Sequence, residues 1–469
     1  MRYIPHTDAD VAAMLKVVGA PSVESLFSHI PESLRLGKPL EIDPLDEAAL
    51  ISHLGELGAK NVRPTMPSFL GAGLSSHHVP VAVDMLLQRA EWYTAYTPYQ
   101  PEVSQGTLQA VFEYQTLVAE LFGPKAVPGL PAPFVSNASV YDGASAMAEA
   151  VLMARRLTGR SLVVACGAIH PHYVGTLHCY LDGIDDMGKS ALKTVGFGPD
   201  GRIDQTALSK LLGECGDAVA AILVQSPNYL GVLQDVASLC ASAQKVGALV
   251  VVATTEPLAF GVVKSPGSLG ADIVVGEGIG LASAPSLGGP GVGLFAARTE
   301  HVRQMPGRLV GETVDQQGRR GYVLTLATRE QHIRREKATS NICTNQGLIA
   351  LAFAIHLCLL GKNGFRRLAE INLAKAEYLK ARLSSVRGFR LPVAGQTFNE
   401  FAVTMRGSAE KAVALLRERG IFAGVPLLSP GFALPECPDA DRTLLVAVNE
   451  RHSREDLDRL ALALDEVCP

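Results

Sequence analysis

The residues able to do chemistry are dispersed along this chain. Residues 93–106, YTAYTPYQPEVSQG, hold three tyrosines, two prolines and Glu102, with no aliphatic stripe. Proline fixes φ and disfavours helix in the residue before it, so the segment reads as extended and ordered by contacts. Buried tyrosine hydroxyls need partners, so Tyr96, Tyr99 and Glu102 suit a ligand pocket or a partner surface as well as a packed aromatic loop. His170 and His172 lie just after an apolar run. They could stack on a ring or bind a metal, but no third ligand is clustered with them, which favours a hydrogen-bonded structural role. Lys337-Ala338-Thr339-Ser340-Asn341 is a compact polar run with donors for an anion.

The stretch Asp272–Arg298, DIVVGEGIGLASAPSLGGPGVGLFAAR, reads as a buried strand, a glycine-rich turn and a second apolar strand. In a large α/β enzyme, reactive groups sit where strands give way to irregular chain. Yet no Lys, His, Cys or Arg falls between Lys264 and Arg298, and the ionisable groups are Asp272 and Glu277 alone. Lys245, in a polar helix turn, and Lys264, beside Pro266-Gly267, read as solvated. The turn has the setting of an active site and no nucleophile.

The elements that must position these groups are an α/β pattern. At the N-terminus, Thr7 or Asp8 caps a helix, Pro21-Ser22 caps a short one, and Asp43, with Pro44 behind it, caps a third that ends at Gly58. Residues 64–80 form a loop. Ser104 is placed to cap a helix whose Leu108, Val111, Phe112, Val118, Leu121 and Phe122 share a face, ending at Gly123-Pro124. Residues 133–156 go from strand to loop to helix. The small residues Gly143 to Ala146 would suit an anion, but a capping Asp142 would take the free amides and repel a phosphate. Strands at 161–166, 218–225 and 248–253, with a helix at 236–246, indicate a mostly parallel sheet covered on both faces. The arginine-rich segment 307–347 reads as an exposed or interface loop leading into an apolar helix, 346–360. A small α+β domain follows: helix 365–387, strand 400–405, helix 408–419, strand 444–448, and a last helix capped by Ser453 with Asp456. The expected division is an arm over 1–70, a large α/β domain over 71–330, and an interface loop, apolar helix and small domain over 331–469.

Composition narrows the function classes. The 469 residues are 48% hydrophobic and 19% charged, with a net charge of −4 and no basic cluster. Nucleic acid and anionic membranes are therefore excluded as expected partners. The eight cysteines show no CxxC spacing, so they read as reduced thiols of a cytosolic protein and not as a disulfide or metal framework. The N-terminus lacks the apolar core of a secretory signal. The apolar run Leu348–Leu360 is too short to span a bilayer and suits a buried helix or a subunit interface. GEGIGLASAPSLGG lacks the strand and helix context of a dinucleotide fingerprint.

The motifs YTPYQPEVSQGTLQAVFEYQT, SVYDGASAMAEA, GADIVVGEG, GGPGVGLFA and REKATSNICTNQ, in this order, resemble glycine dehydrogenase (decarboxylating), the P-protein of the glycine cleavage system, and in particular its N-terminal half. That half is a separate subunit 1 in many bacteria. The resemblance implies a fold type I pyridoxal-phosphate architecture. In that family the second half carries the Schiff-base lysine, and GEGIG stands here in its place. The resemblance implies a vestigial cofactor site at Asp142, His170, Glu256, Glu277 and Gly278, with Glu256 the acid nearest the position that pairs with the pyridine nitrogen. It also implies no cofactor in this chain, pyridoxal phosphate in a partner subunit 2, an α2β2 assembly and a transient encounter with lipoyl H-protein. Tyr96, Tyr99, Glu102, Ser104 and Gln105 would edge the partner's substrate pocket. Lys337, Thr339, Ser340 and Asn341 would lie near the subunit contact. Two rival readings stay open: a purely structural or regulatory subunit, and a self-sufficient enzyme using another lysine.

Overall fold

The continuous apolar runs become the inner strands of one sheet. The structure is a computed structural model and describes residues 5–38, 40, 42–62, 64–93, 97–127, 129, 132–182, 191–286, 288–342 and 345–468. The chain separates into two compact units, Met1–Val62 and Arg63–Pro469.

The first unit holds α1 (Asp8–Val18) and α2 (Glu47–Ala59). Thr7 caps α1 in a reciprocal box with Asp10. The cap of α2 is Asp46 and not Asp43: its carboxylate accepts from Ala49 N at 2.8 Å. Pro44 precedes the helix instead of opening it. Neither helix buries a residue.

The second unit continues with α3 (Val81–Leu87), α4 (Gln105–Phe122), β1 (Phe134–Ser136), α5 (Gly143–Thr158), β2 (Leu162–Cys166), α6 (Pro171–Asp182), β3 (Leu192–Val195) and α7 (Gln205–Cys215). It then runs through β4 (Val219–Gln225), α8 (Val236–Val246), β5 (Leu249–Thr254), β6 (Ile273–Glu277) and β7 (Gly293–Arg298). Among the described residues the large sheet has the order β1-β7-β6-β5-β4-β2-β3. The pairs from β3 to β6 are parallel, and β7 is antiparallel to both β6 and β1. Side chains alternate between two apolar faces. Val164, Val224, Val252 and Val274 pack with α4, α8 and the helix at 347–360, while Val163, Leu223, Val251 and Val275 pack with α5 and α6. This burial on both faces is why the strands read as apolar runs without a period of two.

The arginine-rich segment is not a loop. It forms a hairpin of β8 (Leu309–Val314) and β9 (Arg320–Thr325), then a short helix α9 (Gln331–Arg334). Two glutamines of α4 dock it by side-chain amides that mimic a strand edge. Gln115 accepts from Val310 N and donates to Val310 O, both at 2.9 Å. Gln105 does the same with Tyr322 N and O, both at 2.8 Å.

α10 (Gly347–Ser384) is broken at Gly361, whose φ of 57° and ψ of 179° are not helical, so the two expected helices stand as two. By length and composition α10 is apolar enough to cross a membrane. Its first part packs on α4, and Ala376, Leu379 and Leu383 of its second part enter the small-domain core. That domain adds β10 (Glu400–Thr404), α11 (Ala409–Glu418), β11 (Val425–Pro426), β12 (Thr443–Ala447) and α12 (Arg454–Val467), with a sheet ordered β10-β12-β11. Ser453 and Asp456 form the expected capping box. Met66 and Phe69 join this core, and Ala447 N donates to Phe69 O at 3.0 Å. The segment that follows Phe69 is thereby led from the small domain across the carboxyl ends of the parallel strands.

Candidate functional site

At the amino end of α5, Asp142 accepts from Ser145 N at 2.8 Å, and Ser145 Oγ completes the box. Glu277, the last residue of β6, aims at the same helix end. Its Oε2 accepts from Gly143 N at 3.0 Å, and its Oε1 accepts from Ile279 N and Val292 N, each at 2.9 Å. Burial raises the Glu277 carboxyl above the usual range, and the three amide bonds oppose that shift. Two carboxylates thus occupy the electropositive end of the helix, where an incoming phosphate would otherwise find free amides.

Gly143 cannot carry a side chain there. A Cβ would overlap the Tyr173 hydroxyl and stand 2.9 Å from Glu277 N. Gly143→Ala is expected to lose about 1–3 kcal/mol of stability through overpacking. Tyr173→Phe should recover part of that loss, a coupling that a double-mutant cycle by denaturant unfolding would read.

His170 is buried against Tyr173 and Tyr229. Its Nε2 donates to Ala72 O at 2.7 Å, and its Nδ1 accepts from His172 N at 3.1 Å. Burial lowers it to about 4, so the ring is neutral. Both ring nitrogens are engaged within the protein. Among the described residues no group of three His, Cys, Asp or Glu side chains could hold a metal ion.

Glu256 follows β5 and sits in a buried ionic cluster. Its Oε2 accepts from Ser75 Oγ at 2.5 Å, His77 Nε2 at 3.0 Å and Asn399 Nδ2 at 3.0 Å. His77 Nδ1 donates to Glu450 Oε2 at 2.9 Å, and Glu450 also accepts from Asn372 Nδ2 at 3.0 Å and His78 N at 2.5 Å. Burial alone would push His77 down. The charges and hydrogen bonds of Glu256 and Glu450 outweigh it and raise His77 to about 10. Burial likewise pushes the two carboxyls up, and His77 overrides it, lowering Glu256 below the usual range and Glu450 to about 2. Glu256 is already committed within the protein: its Oε2 takes three donors, and its Oε1 accepts from Leu258 N at 3.3 Å.

The glycines of GEGIG are closed to side chains as well. A Cβ would lie 2.6 Å from Thr254 Cγ2 at Gly276, 2.9 Å from Leu294 Cδ2 at Gly278, and 2.8 Å from Ser75 O at Gly280. The residues present do not fit pyridoxal phosphate: the helix end is filled by carboxylates, the acid is already paired, and no lysine lies between Lys264 and Arg298.

The tyrosine segment is placed elsewhere. Tyr96 lies outside the described residues. Tyr99 is about half exposed, and its hydroxyl accepts from Arg308 Nη2 at 3.0 Å. The Arg308 guanidinium also stacks over the Tyr99 ring at 5.4 Å and pairs with Glu330 at 3.4 Å. His332 meets Tyr99 edge-on at 5.8 Å. Glu102 is exposed in a short 3-10 turn, Pro101–Val103. Ser104 holds the N-cap position of α4, but its side chain makes no capping bond, while Gln105 is spent on the hairpin. Of the polar run, Lys337 and Asn341 are exposed, Thr339 N donates to Arg329 O at 3.1 Å, and Ser340 bonds Glu149 and accepts from Ile342 N. Arg308, Glu330, His77 and Glu450 gave no local signal in the sequence; Glu450 is 373 positions from His77.

A family model for the glycine cleavage system P-protein matches residues 1–464. The chain is 52% identical to a probable glycine dehydrogenase (decarboxylating) subunit 1 of Sorangium cellulosum, covering 100% of both chains. It is 50% identical to the protein of that name from Anaeromyxobacter dehalogenans, over 99% of this chain and 100% of the relative. Among solved structures, a glycine decarboxylase (P-protein) of the glycine cleavage system in inhibitor-bound form is 44% identical, with a TM-score of 0.82 and 100% coverage of both chains. A sphingosine-1-phosphate lyase from Burkholderia pseudomallei, at 16% identity and a TM-score of 0.62 over 94% of both chains, shares the fold alone. Together with the sheet order above, these place the fold among the type I pyridoxal-phosphate enzymes, and the chain belongs to the glycine cleavage system P-protein family, as a glycine dehydrogenase (decarboxylating) subunit.

Proposed function

We propose that this chain is the cofactor-free subunit of a two-subunit glycine decarboxylase and works only with a pyridoxal-phosphate-bearing partner. The observation that carries this reading is the pair of carboxylates, Asp142 and Glu277, at the helix end where a phosphate would bind. Bound in the partner, the cofactor supplies the electron sink for the carbanion left when glycine loses its carboxyl as carbon dioxide. The aminomethyl group then passes to the lipoyl group of H-protein. This chain's part is to present Tyr96, Tyr99 and Glu102 to the partner's pocket. There they orient the substrate and keep water out. The rigid backing of Tyr99 by the buried Arg308–Glu330 pair supports that role. A two-fold assembly of two such pairs is the ordinary way to close the complex.

The test is exchange of labelled bicarbonate into glycine with H-protein and pyridoxal phosphate present. The chain alone is expected to give no exchange, the mixture with subunit 2 to be active, and the cofactor absorbance to follow subunit 2. Exchange by the single chain would overturn the reading.

A further inference from the structure

We infer that the segment Ala72–His77 is a built-in occupant of the ancestral cofactor cavity, so that this chain is closed to pyridoxal phosphate by filled volume and not merely by a missing lysine. The inference rests on the reading of the chain as the cofactor-free subunit, and deepens it.

Each position that would serve the cofactor ring is instead in contact with this one segment. Ala72 O takes the Nε2 proton of His170. A Cβ at Gly73 would lie 3.1 Å from the His170 ring and 3.5 Å from Thr255 Cγ2. Ser75 Oγ and His77 Nε2 both bond Glu256. The Ser75 carbonyl faces Gly280, within the segment that replaces the lysine motif, and His77 Cδ2 would be 3.4 Å from a Cβ there. Six residues of chain therefore run from the ring-stacking position, past the pyridine-nitrogen acid, to the lysine position. Glu277 completes the substitution by standing where the phosphate would go.

The segment is held at both ends by the small domain. Ala72 N donates to Glu400 Oε1 at 2.6 Å, and His78 N donates to Glu450 Oε1. A Cβ at Gly71 would fall 2.6 Å from Ala447 Cβ. A mobile lid would not be tied into buried carboxylates on either side, because leaving them unpaired is costly. The occupant is a fixed part of the fold.

The inference is tested with the full chain in three forms: wild type, Gly280→Lys, and Gly280→Lys combined with Ser75→Gly and His77→Ala. Each is incubated with pyridoxal phosphate, reduced with borohydride and mapped for stable adducts, after circular dichroism confirms folding. Gly280→Lys alone is expected to carry little adduct at position 280. The combined variant is expected to carry at least about ten-fold more, because the competing occupant is loosened. Equal labelling of the two variants overturns the inference and leaves the cofactor-free reading standing. A cofactor absorbance in the wild-type chain overturns that reading instead. Hydrogen exchange on the wild type gives an answer that needs no variant. The Ala72 and His78 amides should be protected as long as those of β5. Exchange within seconds would mean a lid, and would sink the proposal.

Discussion

His77→Ala is expected to lower the free energy of unfolding of the second unit by about 3–5 kcal/mol, the range for removing one member of a buried ionic cluster. The cost is not the loss of two hydrogen bonds alone. His77 is 4% exposed and stands between Glu256 and Glu450 at 3.0 and 2.9 Å. Without its charge, two buried carboxylates face each other, and each must either stay ionised unpaired or take up a proton. Glu450→Gln keeps the shape and removes one negative charge, so it should cost less than His77→Ala. Denaturant unfolding of the three proteins checks the order. An unchanged midpoint for His77→Ala would show that the cluster contributes nothing to the fold.

The same cluster sets a pH dependence whose sign can be worked out. The folded pKa of His77 is raised from 6.5 to about 10, so its stabilisation is complete below 6.5 and is lost as pH rises towards 10. Glu450 is lowered from 4.5 to about 2, so its contribution is present above 4.5 and is lost as pH falls towards 2. Burial raises Glu400 from 4.5 to about 7, although Ala72 N opposes it. The folded state therefore holds a proton there that the unfolded state releases, and stability declines as pH rises from 4.5 to 7. Wild-type stability should fall on the alkaline side, and the difference from His77→Ala should shrink across the window from 6.5 to 10. A difference that stays constant across it would mean that His77 does not titrate there.

Much of this fold was legible in the sequence because its strands are buried on both faces and its helices carry good caps. The apolar runs at β2, β4, β5 and β6 and the caps Thr7, Asp142 and Ser453 each carry their reason locally. What could not be read has a common physical cause. The hairpin β8–β9 owes its position to Gln105 and Gln115, whose amides stand in for a neighbouring strand, and it buries Leu309, Val310 and Tyr322 while exposing Glu312, Thr313, Val314 and Arg320, so no regular alternation marks it. β3 is a short edge strand with only Leu192 and Val195 buried. The site shows the same division. Asp142 blocks its helix end by a contact three residues long, and that was foreseeable. Glu277 reaches the same helix across 134 positions, and His77 reaches Glu256 across 179. Spacing says nothing about such pairs; the first depends on β6 ending beside α5, and the second on the segment 71–78 being led back over the sheet.

Tyr99→Ala and Glu102→Ala are each expected to reduce turnover of the complex reconstituted with subunit 2 and H-protein by about 10- to 100-fold, the range for losing a group that orients the substrate. The thermal stability of this chain should stay nearly unchanged, because Tyr99 is 53% exposed and Glu102 lies on the surface of a short turn. That contrast decides between orientation and mere packing. Tyr99→Phe sharpens it. The ring keeps its contact with the Arg308 guanidinium, and only the hydroxyl that accepts from Arg308 Nη2 is lost. If the hydroxyl orients substrate, Tyr99→Phe should approach the alanine variant in kcat. If the ring only fills the subunit contact, it should match wild type. Arg308→Leu gives the control for position. It leaves Glu330, whose side chain is 11% exposed, with His332 at 3.6 Å in place of the guanidinium and frees Tyr99 to move, so both stability and turnover should fall. If turnover is unaffected by alanine at both Tyr99 and Glu102, the chain is a structural subunit, and its exposed tyrosine serves the contact alone.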